Sequence, residues 1–531
     1  MQNPLLPWLA ALKTGILLSL SWPTFGFTPL IFVAWIPLIW AFAAGNLGPK
    51  PGRRIFLLAL ISMLVWNGLT TWWVGLASGV GAGLAIGLNS FFMALLWRLA
   101  YGVKRQLGLR MGLFSLLFIW MSYEFIHYRW ELIWPWLNLG NAFSENVDWV
   151  QWYSYTGVLG GSLWIWIFNL MGYQVYQSKH KIDRMKFGGI LILVAILPPL
   201  ISMGVKKGID PQEGEAVEVV VVQPNIDAYT EKYEIPVAQQ LNKLIRLAKS
   251  QDLSSTDWVI YPETAIPNGI WHAELDENWA LDGLKSLRKD NPKLNIITGA
   301  STFQRFKEDG LNPPTGSARY HKSGRFWYDA YNSALFLHPS GETHMYQKSK
   351  LVPGVEQMPY DEILKPLKSL AFDLGGTTGT LGKQDSASTF VSDMGSVAPI
   401  ICYESVCGDY VGDFIEAGAG FLAIITNDDW WGDTPGYKQH FSYAKLRAVE
   451  GRRWIARAAN TGISGFINPL GEVVVKTEFK EDASLKETLY LRNDLSFYVR
   501  YGDYLGRISM FFAGLLILYG FVKSRLPEYA K

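Results

Sequence analysis

Val397-Ala-Pro-Ile-Ile-Cys-Tyr-Glu-Ser405 decides the fold of the central part of this chain. An unbroken apolar run of this length reads as a buried strand, and a thiol and a carboxylate follow where that strand ends. Two upstream stretches end the same way. In Asp257-Trp-Val-Ile-Tyr-Pro-Glu263, Pro262 stops an apolar strand just before a carboxylate. Glu342-Thr-His-Met-Tyr-Gln-Lys348 is the second arm of a hairpin turned at Pro339-Ser-Gly341. Strand ends are where α/β sheets build their sites. Cys402, Glu263 and Lys348 therefore read as a nucleophile, its base and a cation. A thiol attacks only as thiolate, and its reference pKa of roughly 8.5 has to be offset by a neighbouring base or positive charge.

Further strand-like runs lie at 217–222, 294–298, 333–337, 421–426, 465–468 and 472–476. Helical patterns at 237–249, 279–289, 413–417 and 437–458 separate several of them. The alternation, with hairpins at Ser340-Gly341 and Leu470-Gly471, predicts a mixed α/β layered sheet.

The chain has 531 residues, 49% of them hydrophobic, with 23 Trp. Mean hydropathy is only +0.11, so the apolar residues are unevenly spread. They crowd the first two hundred residues and the last thirty. A bilayer crossing takes roughly 17–25 apolar residues as helix. Eight such spans are expected, at 5–22, 28–44, 55–74, 81–103, 111–127, 158–176, 188–205 and 508–522. The first lacks a small-residue cleavage site and is read as a span rather than a signal peptide.

Lys and Arg favour the cytoplasmic side. They cluster at Lys50, Arg53 and Arg54, at Lys104, Arg105 and Arg110, at Lys179 to Lys186, and after the last span. Alternate loops hold almost none, Arg129 being the main exception. Both termini are expected inside and the soluble middle outside. The expected division is 1–205 as seven spans, 206–500 as the catalytic domain, and 501–531 as the last span with a cytoplasmic tail. Glu124 and His127, at the end of the fifth span, are expected at the outer interface.

A net charge of +2 gives no footprint for nucleic acid. Seven scattered His and two Cys five residues apart give no metal spacing, so neither metal nor cofactor is expected. No phosphate-cradling Gly-Lys loop is present, which argues against ATP-driven chemistry. Cys402 is expected to stay free because it works, with Cys407 as a small buried filler.

Tyr261-Pro-Glu263, Tyr346-x-Lys348-x-x-Leu-Val-Pro353, Cys402-Tyr-Glu404 and Asn427-Asp-Asp-Trp-Trp-Gly-Asp433, in that order, resemble the Glu-Lys-Cys motifs of the nitrilase superfamily. Trp22-Pro-Thr-Phe-Gly-Phe-Thr-Pro-Leu30 and Trp134-Pro-Trp-Leu-Asn-Leu-Gly140 extend the likeness to the spans. Over essentially its whole length the chain resembles that superfamily's membrane-integrated branch, the apolipoprotein N-acyltransferases.

The resemblance implies an eight-helix transmembrane bundle carrying a nitrilase-like αββα sandwich that faces the periplasm from the bacterial inner membrane. It also implies a ping-pong reaction, in which the sn-1 acyl chain of a phospholipid passes to Cys402 and then to the α-amine of a diacylglyceryl-cysteine on an apolipoprotein. Partners would be the phospholipid donor, the diacylated acceptor and the bilayer, with a monomer sufficient. Glu263 would move the protons, and Lys348 with the Tyr403 N–H would face the oxyanion. Glu356 and Glu404 would support them, while Trp430 and Tyr233 would contact substrate. The family usually reads Leu-Val-Pro-Phe-Gly-Glu where this chain has Leu351-Val-Pro-Gly-Val-Glu356, so the glycine is displaced by one place.

Two other functions fit parts of the pattern. A membrane-anchored amidase would use the same triad with water as acceptor. A transporter or sensor would carry a nitrilase-like domain for binding alone.

Overall fold

The computed structural model describes residues 5–44, 48–232, 234–306, 313–360 and 380–525. The chain forms two compact units, Met1–Gly208 with Tyr501–Lys531, and Ile209–Arg500.

In the first unit, uncharged apolar runs form helix because every backbone polar group is then satisfied within the segment. Among the described residues, five helices are long and apolar enough to cross a membrane: Pro51–Thr71, Gly79–Leu107, Leu109–His127, Lys181–Lys207 and Tyr504–Arg525. The other three expected spans are also helical but differ. Leu6–Leu20 and Thr28–Ala43 are shorter apolar stretches, and the second begins as a 3₁₀ turn before Pro37 opens its α-helix. Val158–Gln177 has the length but carries Asn169, Gln174 and Gln177. The interior is built on tryptophan. Trp35 is fully buried, stacked on Trp166 at 5.0 Å and edge-on to Trp120 at 4.8 Å.

Glu124 is enclosed within the helices, at 1% exposure. Its carboxylate accepts hydrogen bonds from Trp120 Nε1 (2.8 Å), the Leu139 N–H (2.8 Å) and Ser162 Oγ (2.5 Å). It thus pins the 3₁₀ turn Leu139–Phe143 to two helices. Arg129 pairs with Asp503 at 3.1 Å, joining the end of the Leu109–His127 helix to the start of Tyr504–Arg525.

Among its described residues the second unit has fourteen strands: β1 Glu215–Gln223, β2 Trp258–Ile260, β3 Ile266–Trp271, β4 Asn295–Arg305, β5 Arg319–His321, β6 Phe326–Leu337, β7 Thr343–Gln347, β8 Phe390–Ser392, β9 Gly395–Ile401, β10 Phe421–Thr426, β11 Ile455–Ala459, β12 Gly465–Ile467, β13 Val473–Lys476 and β14 Ala483–Leu491. They make two sheets. One runs β14-β1-β2-β4-β6-β5, with β3 on β4 and β7 on β6; the other runs β13-β12-β11-β10-β9-β8.

The sheets face one another through aromatic side chains. Trp258 meets Phe421 at 5.8 Å, and Phe336 stacks on Phe390 at 5.4 Å. Helices cover the outer faces. Leu241, Leu244 and Leu247 of Val237–Ala248, and Leu281 and Leu284 of Trp279–Lys285, pack on Val220, Val259 and Ile296. Gly408–Glu416 and Pro435–Gly451 lie over the second sheet. The layers are helix, sheet, sheet, helix.

One expectation fails here, and one long strand was not foreseen. The helical pattern over 437–458 is a helix, Pro435–Gly451, followed by strand β11. Arg452, at φ +51, ends the helix, and the Ala-rich sequence after it extends because it has β10 and β12 to pair with. Strand β14, which the sequence reading missed, pairs antiparallel with β1 along its length, Glu215 opposite Leu491 to Gln223 opposite Ala483.

Candidate active site

Cys402 follows β9, whose last residue, Ile401, lies opposite Ile425 of β10 in a parallel register. The chain then turns sharply. Cys402 takes φ +48, in the left-handed region that favours glycine, and opens the 3₁₀ turn Cys402–Val406. Such a conformation in a non-glycine residue costs on the order of 1–3 kcal/mol, and it persists only where the surroundings enforce it.

Glu404 is one enforcer. Its Oε2 accepts from the Ile401 N–H at 2.9 Å, while Oε1 accepts from Tyr346 Oη (2.6 Å), the Ser349 N–H (2.7 Å) and the Lys350 N–H (3.2 Å). One carboxylate thereby fastens the cysteine turn to the chain directly after Lys348. Burial lifts Glu404 above the ordinary carboxylate value, against the pull of these donors.

Behind the turn, His440 Nδ1 is 2.9 Å from Asp428 Oδ1, and its Nε2 is 2.9 Å from Ser405 Oγ and 3.2 Å from the Cys402 carbonyl. Arg457 on β11 donates to Asp428 Oδ2 at 2.8 Å. Against burial, Arg457 and His440 hold the Asp428 carboxyl well below its ordinary value.

Glu263 leaves β2 beside β4, where the Gly299 N–H donates to the Pro262 carbonyl at 3.1 Å. A Cβ at Gly299 would stand 2.6 Å from Glu263 Cα and 2.5 Å from the Thr264 nitrogen, so only glycine lets the two segments approach. The Glu263 carboxylate is 8% exposed. Oε2 accepts the Asn427 N–H at 3.0 Å, and Oε1 accepts Asn332 Nδ2 at 2.7 Å with Lys348 Nζ at 3.5 Å.

Lys348 is placed by main chain, its N–H donating to the Asn332 carbonyl at 2.9 Å. Its ammonium donates to Glu356 Oε1 at 2.9 Å. Asn332 Nδ2 also reaches Glu356 Oε1, at 3.1 Å, so one amide bridges the two carboxylates flanking the lysine.

Electrostatics link these groups to the thiol. Burial and the Glu263 carboxylate push the Cys402 thiol well above its ordinary value, with Lys348 pulling the other way. On Lys348, burial is outweighed by Glu356 and Glu263, and the ammonium is held above its ordinary value. Cys402 thus sits in the opposed fields of a carboxylate that disfavours its ionisation and an ammonium that favours it. Cys402 and Cys407 are both free thiols, and Cys407 is fully buried.

Glu263, Asn332 and Glu356 open onto a cavity of about 510 Å³, walled also by Phe303, Leu381 and Trp430. Trp430 stands on the 3₁₀ turn Asp429–Trp431, with the Tyr229 ring edge-on at 5.3 Å. Tyr403 is buried within the cysteine turn. Tyr233 lies outside the described residues. The structure thus gathers Glu263, Lys348 and Glu356 in one bonded cluster, sets Cys402 in their field, and puts Glu404 on the thiol's supporting turn. Sequence reading missed Asn332, His440, Arg457 and Lys232, the last also on the cavity wall, and gave Asp428 no role of its own although it lies in the quoted 427–433 motif. For Asn332 the available signal was an amide inside the strand run Ala330-Tyr-Asn-Ser-Ala334, since Asn is depleted in strands.

Comparison with known sequences accounts for both units. Residues 14–171 match the family described as apolipoprotein N-acyltransferase N-terminal domain, and residues 218–495 match the carbon-nitrogen hydrolases. An apolipoprotein N-acyltransferase of Chlorobaculum tepidum is 30% identical, covering 98% of this chain and 97% of the relative. The chain belongs to the apolipoprotein N-acyltransferase family. Another apolipoprotein N-acyltransferase, from Haemophilus influenzae, is 26% identical over 90% of this chain and 87% of its own. Among solved structures, an amidase of the nitrilase superfamily from Nesterenkonia aligns at 13% identity over 56% of this chain and 98% of that one, with a TM-score of 0.37.

The displaced glycine can now be followed in this apolipoprotein N-acyltransferase family member. Gly354 takes φ +80, and its N–H donates to the Gln357 carbonyl at 2.7 Å. Glu356 Oε2 accepts the Val352 N–H at 2.9 Å while Oε1 meets Lys348. The loop uses its glycine one place early and still delivers the acid.

Proposed function

We propose that the protein transfers the sn-1 acyl chain of a phospholipid, through a Cys402 thioester, to the N-terminal amine of diacylglyceryl-cysteine on apolipoproteins. The observation that carries this reading is the bonded cluster of Glu263, Lys348, Asn332 and Glu356, with Cys402 on its strained turn at the end of β9, within a chain of this family.

In the first half, Glu263 takes the thiol proton as sulfur attacks the ester carbonyl. Lys348, with the Tyr403 N–H, faces the tetrahedral oxyanion, a contact worth roughly 3–4 kcal/mol. The intermediate collapses to thioester, and the leaving glycerol oxygen takes the proton from Glu263. In the second half, the neutral amine attacks the thioester and its surplus proton passes to Glu263. The expelled thiolate recovers that proton, leaving an amide and the starting enzyme. An amine reacts readily with a thioester, so no nucleotide is needed.

Glu356 and Glu404 act by holding Lys348 and the cysteine turn. Trp430 borders the entrance for the acyl chain. Eight spans in the bacterial inner membrane, both termini cytoplasmic and the second unit periplasmic complete the reading, and a monomer suffices. Lys and Arg clustering in alternate loops supports that orientation.

The test is intact-protein mass spectrometry after incubation with phospholipid. Wild type should gain one fatty acyl group on Cys402 that hydroxylamine removes, and Cys402→Ser should gain no hydroxylamine-labile group. A wild-type protein that stays unmodified would sink the proposal.

A further inference from the structure

Among the described residues, three charged side chains line the cavity: Glu263, Glu356 and Lys232. The two carboxylates are engaged with Lys348 and Asn332. Lys232 is different. It is only 5% exposed, yet among the described residues its ammonium makes no hydrogen bond and no ion pair within 4.0 Å. Its backbone is held firmly, the N–H donating to the Asp227 carbonyl at 2.9 Å and the carbonyl accepting Gln240 Nε2 at 2.8 Å. The nearby Asp429 carboxylate is committed to the Ala228 N–H at 2.7 Å.

Burying an ammonium without a partner is costly, so a fold that fixes its backbone and leaves its head unmatched has the form of a site awaiting an anion. Burial draws this lysine down to about 8, against the opposing pull of Glu263 and Asp429, and it is still mainly a cation at neutral pH.

We propose that Lys232 pairs with the phosphate of the phospholipid donor and so distinguishes donor from acceptor within a single cavity. This rests on the acyl-transfer reading. In a phospholipid, the sn-1 ester and the phosphate hang from the same three-carbon glycerol. A carbonyl delivered to Cys402 therefore brings a phosphate within a few bonds of it. Without Lys232, that phosphate would face Glu263 and Glu356, and like charges repel at close range. The acceptor carries an amine and no phosphate, so it gains nothing from the contact.

The test uses full-length protein in detergent micelles and follows acylation of Cys402 by mass spectrometry from two palmitoyl donors, phosphatidylglycerol and p-nitrophenyl palmitate. Transfer from the acyl-enzyme to a synthetic diacylated lipopeptide is followed separately. Lys232→Gln should slow acylation from phosphatidylglycerol by about tenfold or more, mostly through KM, while acylation from the phosphate-free ester stays within about twofold. Transfer to the lipopeptide should be unchanged, and Lys232→Arg should recover most of the loss.

Acylation from the phosphate-free ester doubles as the check that the variant is folded. Equal slowing with both donors would overturn the proposal and assign Lys232 to the triad or the fold. Slowing confined to the lipopeptide step, or no slowing, would overturn it as well. Wild type that takes no acyl group from phosphatidylglycerol defeats the acyl-transfer reading itself. Wild type that is acylated beside an unselective variant defeats only the role of Lys232.

Discussion

At the scale of single residues, the proposed transfer makes Glu263 the acceptor of the thiol proton in the chemical step. Glu263→Gln keeps the hydrogen bond from the Asn427 N–H but cannot accept a proton, so acylation should fall about 10²–10⁴-fold in a single-turnover assay. Lys348→Ala removes the cation and leaves Glu263 and Glu356 facing each other across its place. It should cost at least as much, and a near-normal rate would return Lys348 to a structural role. Asn332→Asp should be worse than Asn332→Ala, because it sets a third carboxylate where an amide now donates to two. These three residues also show what a sequence discloses. Glu263 and Lys348 are legible because each ends a recognisable strand within a motif. Asn332 is not, because its role comes from lying on β6 opposite the β4 strand beside Glu263, and only the pairing of the sheet reveals that.

At the scale of elements, the site depends on close backbone approaches and on a buried charge network. Gly299→Ala would drive a methyl against the Glu263 and Thr264 backbone. A displacement near 1 Å at a catalytic group costs about 10²-fold, so acylation should drop by that order while far-UV circular dichroism stays unchanged. Asp428, buried between Arg457 and His440, has its carboxyl held below the ordinary 3.8. A depressed carboxyl contributes stability above its unfolded value, and that contribution is lost as pH falls through the folded one. Asp428→Asn should therefore melt well below wild type at pH 7, by about 3–5 kcal/mol for a broken buried pair. The gap should narrow only in acid below the ordinary carboxylate range, as thermal melts across pH would record. Legibility at this scale is mixed. Strands β1, β2, β9 and β10 announce themselves as apolar runs. Strand β11 does not, since Ile-Ala-Arg-Ala-Ala has the composition of a helix and extends only because its neighbours pair with it. Strand β14 interleaves Lys, Glu and Thr with Leu, and its pairing with β1 is what makes it a strand.

At the scale of the whole molecule, loop charges predict which side each connection occupies. A phosphatase reporter that works only once exported should be active when fused after Gly208, and an inactive fusion would reverse the assigned orientation. Five of the eight expected spans are helices long and apolar enough to cross a membrane, legible because a twenty-residue apolar stretch needs no tertiary partner to declare itself. What sequence could not supply was how the first unit closes. Its members are distant in the chain: Arg129 pairs with Asp503, Phe118 stacks on Phe512 at 5.1 Å, and Gly506 admits the Phe125 ring. Synthesis must therefore pass through the entire second unit before the Tyr504–Arg525 helix exists. At roughly 5–20 residues per second, the earlier helices wait about 15–60 s with one flank unfilled. During that interval the nascent bundle offers an open groove to lipid, to insertion machinery or to proteases, and ribosome stalling in the intervening stretch would leave it open for good.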